Sequence, residues 1–164
     1  MRLDNEIKLD YKDVLLKPKR STLSSRRDVE MTRSFTFRNS GETYECCPII
    51  ASNMDGVGTF SMAKVIQEYK MMTTITKTTT LEQWKKAVGE GIKLKYLSVC
   101  TGTGKLWDDD AEDYSTMQKV LKSYPDVKFI TIDVANGYHT NFSDFVGAVR
   151  EEYPDKTIIA GNVV

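Results

Sequence analysis

The sequence predicts an α/β fold built on a parallel β-sheet, and two observations carry that prediction. From residue 48 onward, short apolar runs alternate with segments of helical period. The last two runs are rich in β-branched residues and apolar on both alternating faces, which is typical of strands covered on both sides. Five parallel strands are therefore expected, at Pro48–Ser52, Met71–Ile75, Tyr96–Cys100, Lys128–Asp133 and Thr157–Gly161.

Four helices are predicted between these strands, because apolar residues recur there three or four positions apart. Thr80 and Gln83 have the spacing of a capping pair before the second helix, and Pro125 and Pro154 follow the third and fourth. The predicted order is β-α-β-α-β-α-β-α-β. The apolar faces comprise Phe60, Ala63, Ile66 and Tyr69, then Leu81, Trp84 and Val88, then Tyr114, Met117, Leu121 and Tyr124, then Phe142, Phe145, Val149 and Tyr153.

The first 47 residues differ from the rest of the chain in composition. They contain basic and hydroxyl-rich stretches, such as Lys17–Arg20 and Ser21–Arg27, and only short apolar runs. We expect residues 1–47 to form an irregular N-terminal arm that includes a hairpin, and residues 48–164 to form the α/β part of a single domain.

Composition excludes several classes of function. The 164 residues are 40% apolar and carry 23 basic and 23 acidic side chains without a basic stripe, which disfavours nucleic-acid binding. No apolar stretch approaches the roughly 18 residues that span a bilayer, and no export signal is visible, so no membrane partner is expected. Three cysteines, two of them adjacent, form neither a disulfide framework nor a metal site. A cytoplasmic location is expected.

Polar residues follow each predicted strand at its carboxyl end, where active sites of βα folds lie. Turn chemistry alone supplies such residues at any one junction, but five together favour a site. The polar ends are Ser52-Asn53-Met54-Asp55-Gly56, Thr76-Lys77-Thr78, Thr101-Gly102-Thr103-Gly104, Asp133-Val134-Ala135-Asn136-Gly137 and Asn162.

Four residues at or near these strand ends can each be interpreted in more than one way. Lys77 either faces a polar mouth or an anionic ligand, or lies with its ammonium group at the rim. Asp133 either accepts ribose hydroxyls or caps the next helix. His139 is interpreted as a surface residue and Cys100 as inert packing, because no triad can be assembled around either of them.

Long motifs resemble the GMP reductases of the IMP dehydrogenase/GMP reductase family, and the similarity covers essentially the whole chain in order. The resemblance implies a TIM (β/α)8 barrel, present here as a partial barrel of about five strands with an N-terminal arm. The matching motifs are Leu9-Asp10-Tyr11-Lys12-Asp13-Val14-Leu15-Leu16-Lys17-Pro18-Lys19-Arg20-Ser21, Phe35-Thr36-Phe37-Arg38-Asn39-Ser40, Ala51-Ser52-Asn53-Met54-Asp55, Val57-Gly58-Thr59-Phe60, Asp133-Val134-Ala135-Asn136-Gly137-Tyr138 and Ala160-Gly161-Asn162-Val163-Val164.

The resemblance implies NADPH-dependent reductive deamination of GMP to IMP and ammonia. In that chemistry a cysteine thiolate attacks the purine carbon, ammonia leaves, and hydride reduces the covalent intermediate. The family motifs place the cofactor against Lys77, Asp133, Val134 and Ala135, and against Ser25 and Arg26 of the arm, with a subunit boundary between them. They place the nucleotide against Ser52, Met54 and Asn162, and they imply a homotetramer. No metal-binding residues are predicted in this sequence.

Two related alternatives remain open from the sequence. IMP dehydrogenases usually carry a regulatory module after the second strand, and the short connection from Lys77 to Thr80 leaves no room for it, so a reductase is preferred to a module-free dehydrogenase fragment. The family's nucleophilic cysteine lies in a later loop that this sequence does not contain. The chain alone is therefore expected to be inactive, and a non-catalytic nucleotide-binding half-barrel is the other alternative.

The chain also departs from the family pattern. Thr76 and Thr78 flank Lys77 where histidines are usual, and Gly56 replaces a common threonine, so cofactor positioning is expected to differ. A longer acidic loop is expected around Trp107 to Asp113.

Overall fold

The computed structural model describes residues 5–104 and 111–163 and divides the chain into two compact units after Glu30. Most of the acidic loop predicted around Trp107 to Asp113 lies outside the described residues. The boundary predicted at residue 47 stays a prediction.

The first unit, as far as residue 30, consists of extended chain and two short 3-10 helices, Tyr11–Asp13 and Arg26–Asp28. Each begins with a capping box, in which the N-cap side chain and the side chain three residues later bond each other's backbone. The N-cap residues are Asp10 and Ser25, and no residue of either helix is buried. Local hydrogen bonds therefore set the backbone conformation of this unit.

The second unit opens with a hairpin and continues into a parallel sheet. Strands β1 (Arg33–Thr36) and β2 (Thr43–Cys46) pair antiparallel, which confirms the predicted hairpin. The five strands that follow pair in parallel and in chain order, as the alternating pattern predicts. They are β3 (Ile50–Ala51), β4 (Met72–Ile75), β5 (Leu97–Thr101), β6 (Phe129–Asp133) and β7 (Thr157–Gly161).

Four α-helices connect the parallel strands. The Thr80 and Gln83 capping pair is present at the start of the second helix, and the His139 ring accepts a hydrogen bond from the Asn141 N–H at the start of the fourth. None of the described helices is long and apolar enough to cross a membrane. The helices are α1 (Phe60–Ile66), α2 (Leu81–Gly89), α3 (Glu112–Ser123) and α4 (Thr140–Glu152).

The helices cover one face of the sheet and bury the larger core. Ile75, Val99 and Ile130 point from neighbouring strands into this layer, where Trp84 of α2 is 1% exposed. The Trp84 ring meets Phe60 of α1 edge to face, with ring centroids 5.2 Å apart. The predicted apolar stripes of the helices thus form the outer layer of a partial barrel.

The opposite face of the sheet forms the inside of the partial barrel, and the hairpin packs against its amino end. Phe129 of β6 is 1% exposed and lies edge to face with Tyr44 and Phe37, at centroid distances of 4.8 and 5.6 Å. The Tyr44 hydroxyl donates to the Lys95 carbonyl at 2.8 Å. Further along the strands this face becomes polar, since Ser98 and Thr131 hydrogen-bond at 2.8 Å. The inside is therefore apolar at its amino end and polar toward its carboxyl end.

Candidate functional site

The carboxyl ends of β3, β6 and β7 surround a cavity of about 380 Å³. Thr74 and Thr131 form its floor on the inner face of the sheet. Hydroxyl, amide and carboxylate groups lie at its rim, at the carboxyl edge of the sheet where a binding site is predicted. The rim residues are Ser52, Asn53, Asp133, Gly161 and Asn162.

A hydrogen bond across the barrel interior joins two of these rim residues. Asn53, just after β3, donates from Nδ2 to Oδ2 of Asp133 at 2.8 Å. The same nitrogen lies 3.5 Å from Sγ of Cys100 on β5. Strands β4 and β5 lie between β3 and β6 in the sheet, so the amide bridges strands that are not neighbours.

Cys100 lies beneath this amide and is 3% exposed. Burial, reinforced by the negative charge of Asp133, raises the pKa of its thiol to about 12. The thiol is therefore neutral at physiological pH, which agrees with its interpretation as packing and not as a nucleophile.

The turn that carries Asn53 depends on Gly58. The carbonyl of Met54 accepts hydrogen bonds from the N–H groups of Val57 and Gly58, at 3.0 and 2.9 Å. A Cβ on Gly58 would clash with the Thr74 carbonyl oxygen and lie 2.9 Å from Cα of Asn53. Only glycine permits this approach, so the turn packs directly on β4 and holds Asn53 in place.

The loops after β6 and β7 are joined by main-chain hydrogen bonds. The N–H of Val134 donates to the Gly161 carbonyl, and that of Asn162 donates to the Val134 carbonyl, both at 2.9 Å. Gly137 donates to the Asn162 carbonyl at 2.8 Å. The segment predicted to contact the cofactor and the residue predicted to contact the nucleotide therefore form one backbone structure.

Lys77 lies in the loop between β4 and α2 and is exposed to solvent. Its ammonium group is therefore not desolvated. Lys77 lines a second cavity of about 380 Å³ together with residues of α3, including Glu112 and Asp113. Asp113 accepts a hydrogen bond from the Gly102 N–H at 2.8 Å. A Cβ on Gly102 would meet Asp113 Oδ2 at 3.1 Å and Lys77 Nζ at 3.3 Å, so both charged groups lie against this glycine.

Of the remaining predicted site residues, three belong to the second unit and two to the first. Met54 is 65% exposed and is absent from the described lining of the first cavity. Val134 is half-buried and Ala135 exposed. In the first unit, Ser25 caps a 3-10 helix by accepting from the Arg27 N–H at 3.2 Å, and Arg26 is exposed.

Two contacts at the site were not predicted. Asn53 belongs to the polar strand ends, but only its orientation across the sheet shows that it bonds Asp133. Asp113 lies on the first turn of α3, eleven positions from its partner Gly102, and no local motif signals that contact.

A parallel partial barrel with polar groups gathered at the carboxyl ends of its strands is characteristic of the (β/α)8 barrel enzymes. The family model "IMP dehydrogenase / GMP reductase domain" matches residues 8–164. The chain therefore belongs to the IMP dehydrogenase/GMP reductase family.

Named relatives resemble the chain along its whole length. GMP reductase 2 of Homo sapiens is 49% identical over 163 residues, which are 99% of this chain and 45% of the relative. The GMP reductase of Klebsiella pneumoniae is 50% identical over 167 residues, which are 100% of this chain and 46% of the relative. The chain thus spans about half the length of these relatives, and its resemblance to their N-terminal portion is confirmed.

A solved structure supports the fold. The inosine 5′-monophosphate dehydrogenase of Legionella pneumophila superposes with a TM-score of 0.66 and 23% identity, over 93% of this chain and 43% of that one. The predicted partial barrel is confirmed by this similarity and by the five parallel strands.

Proposed function

We propose that this chain forms the cofactor- and nucleotide-binding part of a GMP reductase, which deaminates GMP reductively to IMP and ammonia with NADPH. The observation that carries the proposal is the 47–50% identity to proteins named GMP reductase across nearly the whole chain. The geometry at the carboxyl ends of the strands is compatible with this assignment.

The part of the first cavity beside Ser52 and Asn162 is the proposed nucleotide site, and the part beside Asp133 is proposed to face the ribose of the cofactor. The rim offers the Ser52 hydroxyl and the Asn162 amide, which suit the hydroxyl and amide groups of a nucleotide. Met54, exposed beside the cavity, is proposed to contact the nucleotide with its flexible thioether side chain.

We propose that the nicotinamide cofactor extends from the second cavity, lined by Lys77, past Gly102 to Asp133 at the first cavity. Gly102 has no side chain between Lys77 and Asp113, and a Cβ there would press on both charged groups. We propose that Lys77 attracts the cofactor's negative charge and that Asp133, with Val134 and Ala135, contacts its ribose. When bound, NADPH supplies the hydride.

The exposed arm residues Ser25 and Arg26 are proposed to bind the additional phosphate of NADPH. A guanidinium group matches phosphate geometry well. The Ser25 oxygen accepts a backbone hydrogen bond, which leaves its own proton available for donation.

The cysteines of this chain do not suit the nucleophilic step. All three are buried, and burial raises the thiol pKa of both Cys46 and Cys100. We therefore propose that the thiolate comes from the half of the family's fold that this chain does not span.

The connection between β4 and α2 favours a reductase over a dehydrogenase. It comprises residues 76–80, in which Thr76 and Thr79 bond through their hydroxyls at 2.9 Å and Thr80 caps α2. This compact turn contains no inserted module. The proposal also includes assembly as a homotetramer and a cytoplasmic location, the latter supported by three free cysteines.

The test uses a hybrid enzyme in which residues 1–164 replace the matching residues of human GMP reductase 2. We expect the hybrid to consume NADPH when GMP is added, and to leave NADH largely unused. The human enzyme is the positive control, and IMP with NAD is assayed in parallel. A folded hybrid that oxidises IMP with NAD, or reduces nothing while the human control is active, would contradict the proposal.

A further inference from the structure

Asn53 occupies a central position at the candidate site, although neither the family motifs nor the proposed function assigns it a role. Its Nδ2 donates to Asp133 Oδ2 at 2.8 Å and lies 3.5 Å from Cys100 Sγ. The two bonded residues are 80 positions apart in the chain. Asn53 is therefore the described side chain that connects the turn after β3 to the carboxyl end of β6.

The backbone around Asn53 is held firmly. Gly58 closes the turn on the Cα of Asn53, and the carbonyl of Gly58 accepts from the Thr76 N–H at 3.0 Å. Asn53 is itself half-buried, and its amide is hydrogen-bonded to Asp133. Because a charge-assisted hydrogen bond is short and directional, an Asn53 amide with a fixed position restricts the orientation of the Asp133 carboxylate that accepts from it.

The chemistry of the amide matters as much as its position. Asparagine donates a hydrogen bond without adding charge, and the neutral Cys100 thiol beneath it adds none. A carboxylate accepts on both oxygens. With Oδ2 bonded to Asn53, Oδ1 remains able to accept from a ligand hydroxyl.

We propose that Asn53 is a positioning residue that orients the Asp133 carboxylate for the cofactor ribose. This inference rests on the proposed function, because the proposed function assigns Asp133 to the cofactor. It predicts that changes at Asn53 affect the use of NADPH more than the use of GMP.

The experiment compares Asn53→Ala and Asn53→Asp in the hybrid enzyme. Alanine removes the donor, and we expect the KM for NADPH to rise about tenfold, the value of one hydrogen bond, with the KM for GMP within about twofold. Aspartate keeps the shape but places a second carboxylate against Asp133, so we expect a larger rise, of about a hundredfold. Because protonation of one carboxyl restores a donor, the Asn53→Asp defect should diminish as the pH falls.

The matched control is Asn141→Asp, which adds the same charge in the first turn of α4, at a residue with no assigned role in binding. Asn141 Oδ1 accepts from the Thr140 hydroxyl at 3.5 Å, and a carboxylate can keep that bond. We expect its KM for NADPH to stay within about twofold of the parent enzyme. An Asn53→Asp variant that behaves like this control, or loses the use of both substrates equally at every pH, would overturn the inference.

Crystal structures of the hybrid and of its Asn53→Ala variant separate this inference from the proposed function. If the parent hybrid has no GMP reductase activity, the proposed function fails, and the carboxylate of Asp133 decides the inference alone. If the Asp133 carboxylate rotates away in the Asn53→Ala variant, the result supports positioning by Asn53. If the Asp133 carboxylate keeps its orientation in that variant, the inference is overturned.

Discussion

At the amino end of the parallel sheet the side chains are aromatic and closely packed, whereas at the carboxyl end they are polar and half-exposed. Phe129 is almost fully buried against Tyr44 and Phe37, while four residues further along the same strand Asp133 reaches a cavity. One strand therefore contributes to stability at its start and to the site at its end. In barrel enzymes this division lets the site vary without loss of the fold.

Polar groups at the amino end have structural partners as well. The buried ammonium group of Lys156 donates to the Pro125 carbonyl at 2.7 Å, and Arg150 donates to the carbonyls of Tyr153 and Lys156 at 3.1 and 2.7 Å. These bonds tie the loops that precede β6 and β7. At the carboxyl end, by contrast, Lys77 is exposed in an open cavity.

The largest expected effect is at the amino end. Phe129→Ala removes a buried ring from the aromatic cluster and should lower the free energy of unfolding of the chain by about 4 kcal/mol, measured by urea denaturation. Phe129→Leu retains much of the volume and should cost about 1.5 kcal/mol. Equal losses in the two variants would show that the stabilisation depends on the aromatic ring itself and that the apolar volume kept by leucine does not contribute.

A second substitution tests whether the carboxyl end contributes to stability at all. Gly58→Ala should cost about 3 kcal/mol, because the added methyl group meets backbone atoms that cannot move aside. The control is Gly147→Ala in α4, where a Cβ meets nothing and alanine should stabilise the helix by about 0.5–1 kcal/mol. A neutral Gly58→Ala would mean that the turn after β3 is adaptable.

Lys156→Met probes the polar part of the amino end. It keeps the aliphatic stem and leaves the Pro125 carbonyl without its charged donor, so we expect a loss of about 2 kcal/mol in unfolding free energy. Lys122→Met on the exposed surface of α3 should change it by less than about 0.5 kcal/mol. Similar values for both variants would place Lys156 among ordinary surface lysines.

Lys77→Ala should have the smallest effect on stability, within about 0.5 kcal/mol, because the side chain is exposed. In the hybrid enzyme, however, we expect it to raise the KM for NADPH about tenfold or more, since a phosphate-binding charge is lost. Steady-state kinetics with varied NADPH and GMP measure the two effects separately. Unchanged kinetics would remove Lys77 from the proposed cofactor site.

Much of the fold could be predicted because its signals are local. The apolar runs located all five parallel strands, and the Thr80 and Gln83 spacing located a helix start. Strand β3 is shorter than predicted, two residues against five. Pro48 has no N–H to pair, and the chain turns from residue 52 onward, so only the middle of that run joins the sheet.

The site was predicted less completely because its geometry depends on side-chain direction. Polarity at the strand ends predicted a site at the carboxyl edge of the sheet, and Ser52, Asp133 and Asn162 line one cavity there. The bond from Asn53 to Asp133 depends on which way two side chains turn across the barrel interior. Sequence spacing contains no information about that direction, since Asn53 follows β3 and Asp133 ends β6, and these two strands are not adjacent in the sheet.

The sequential strand order has a consequence for how the chain folds during synthesis. Each parallel strand pairs with the strand made just before it, about 20 to 30 residues earlier, across a single helical crossover. Every new strand can therefore add to an edge that already exists on the ribosome, without waiting for distant sequence. The sheet can grow in the direction of translation, with the hairpin ready to cover its amino end before the second parallel strand emerges.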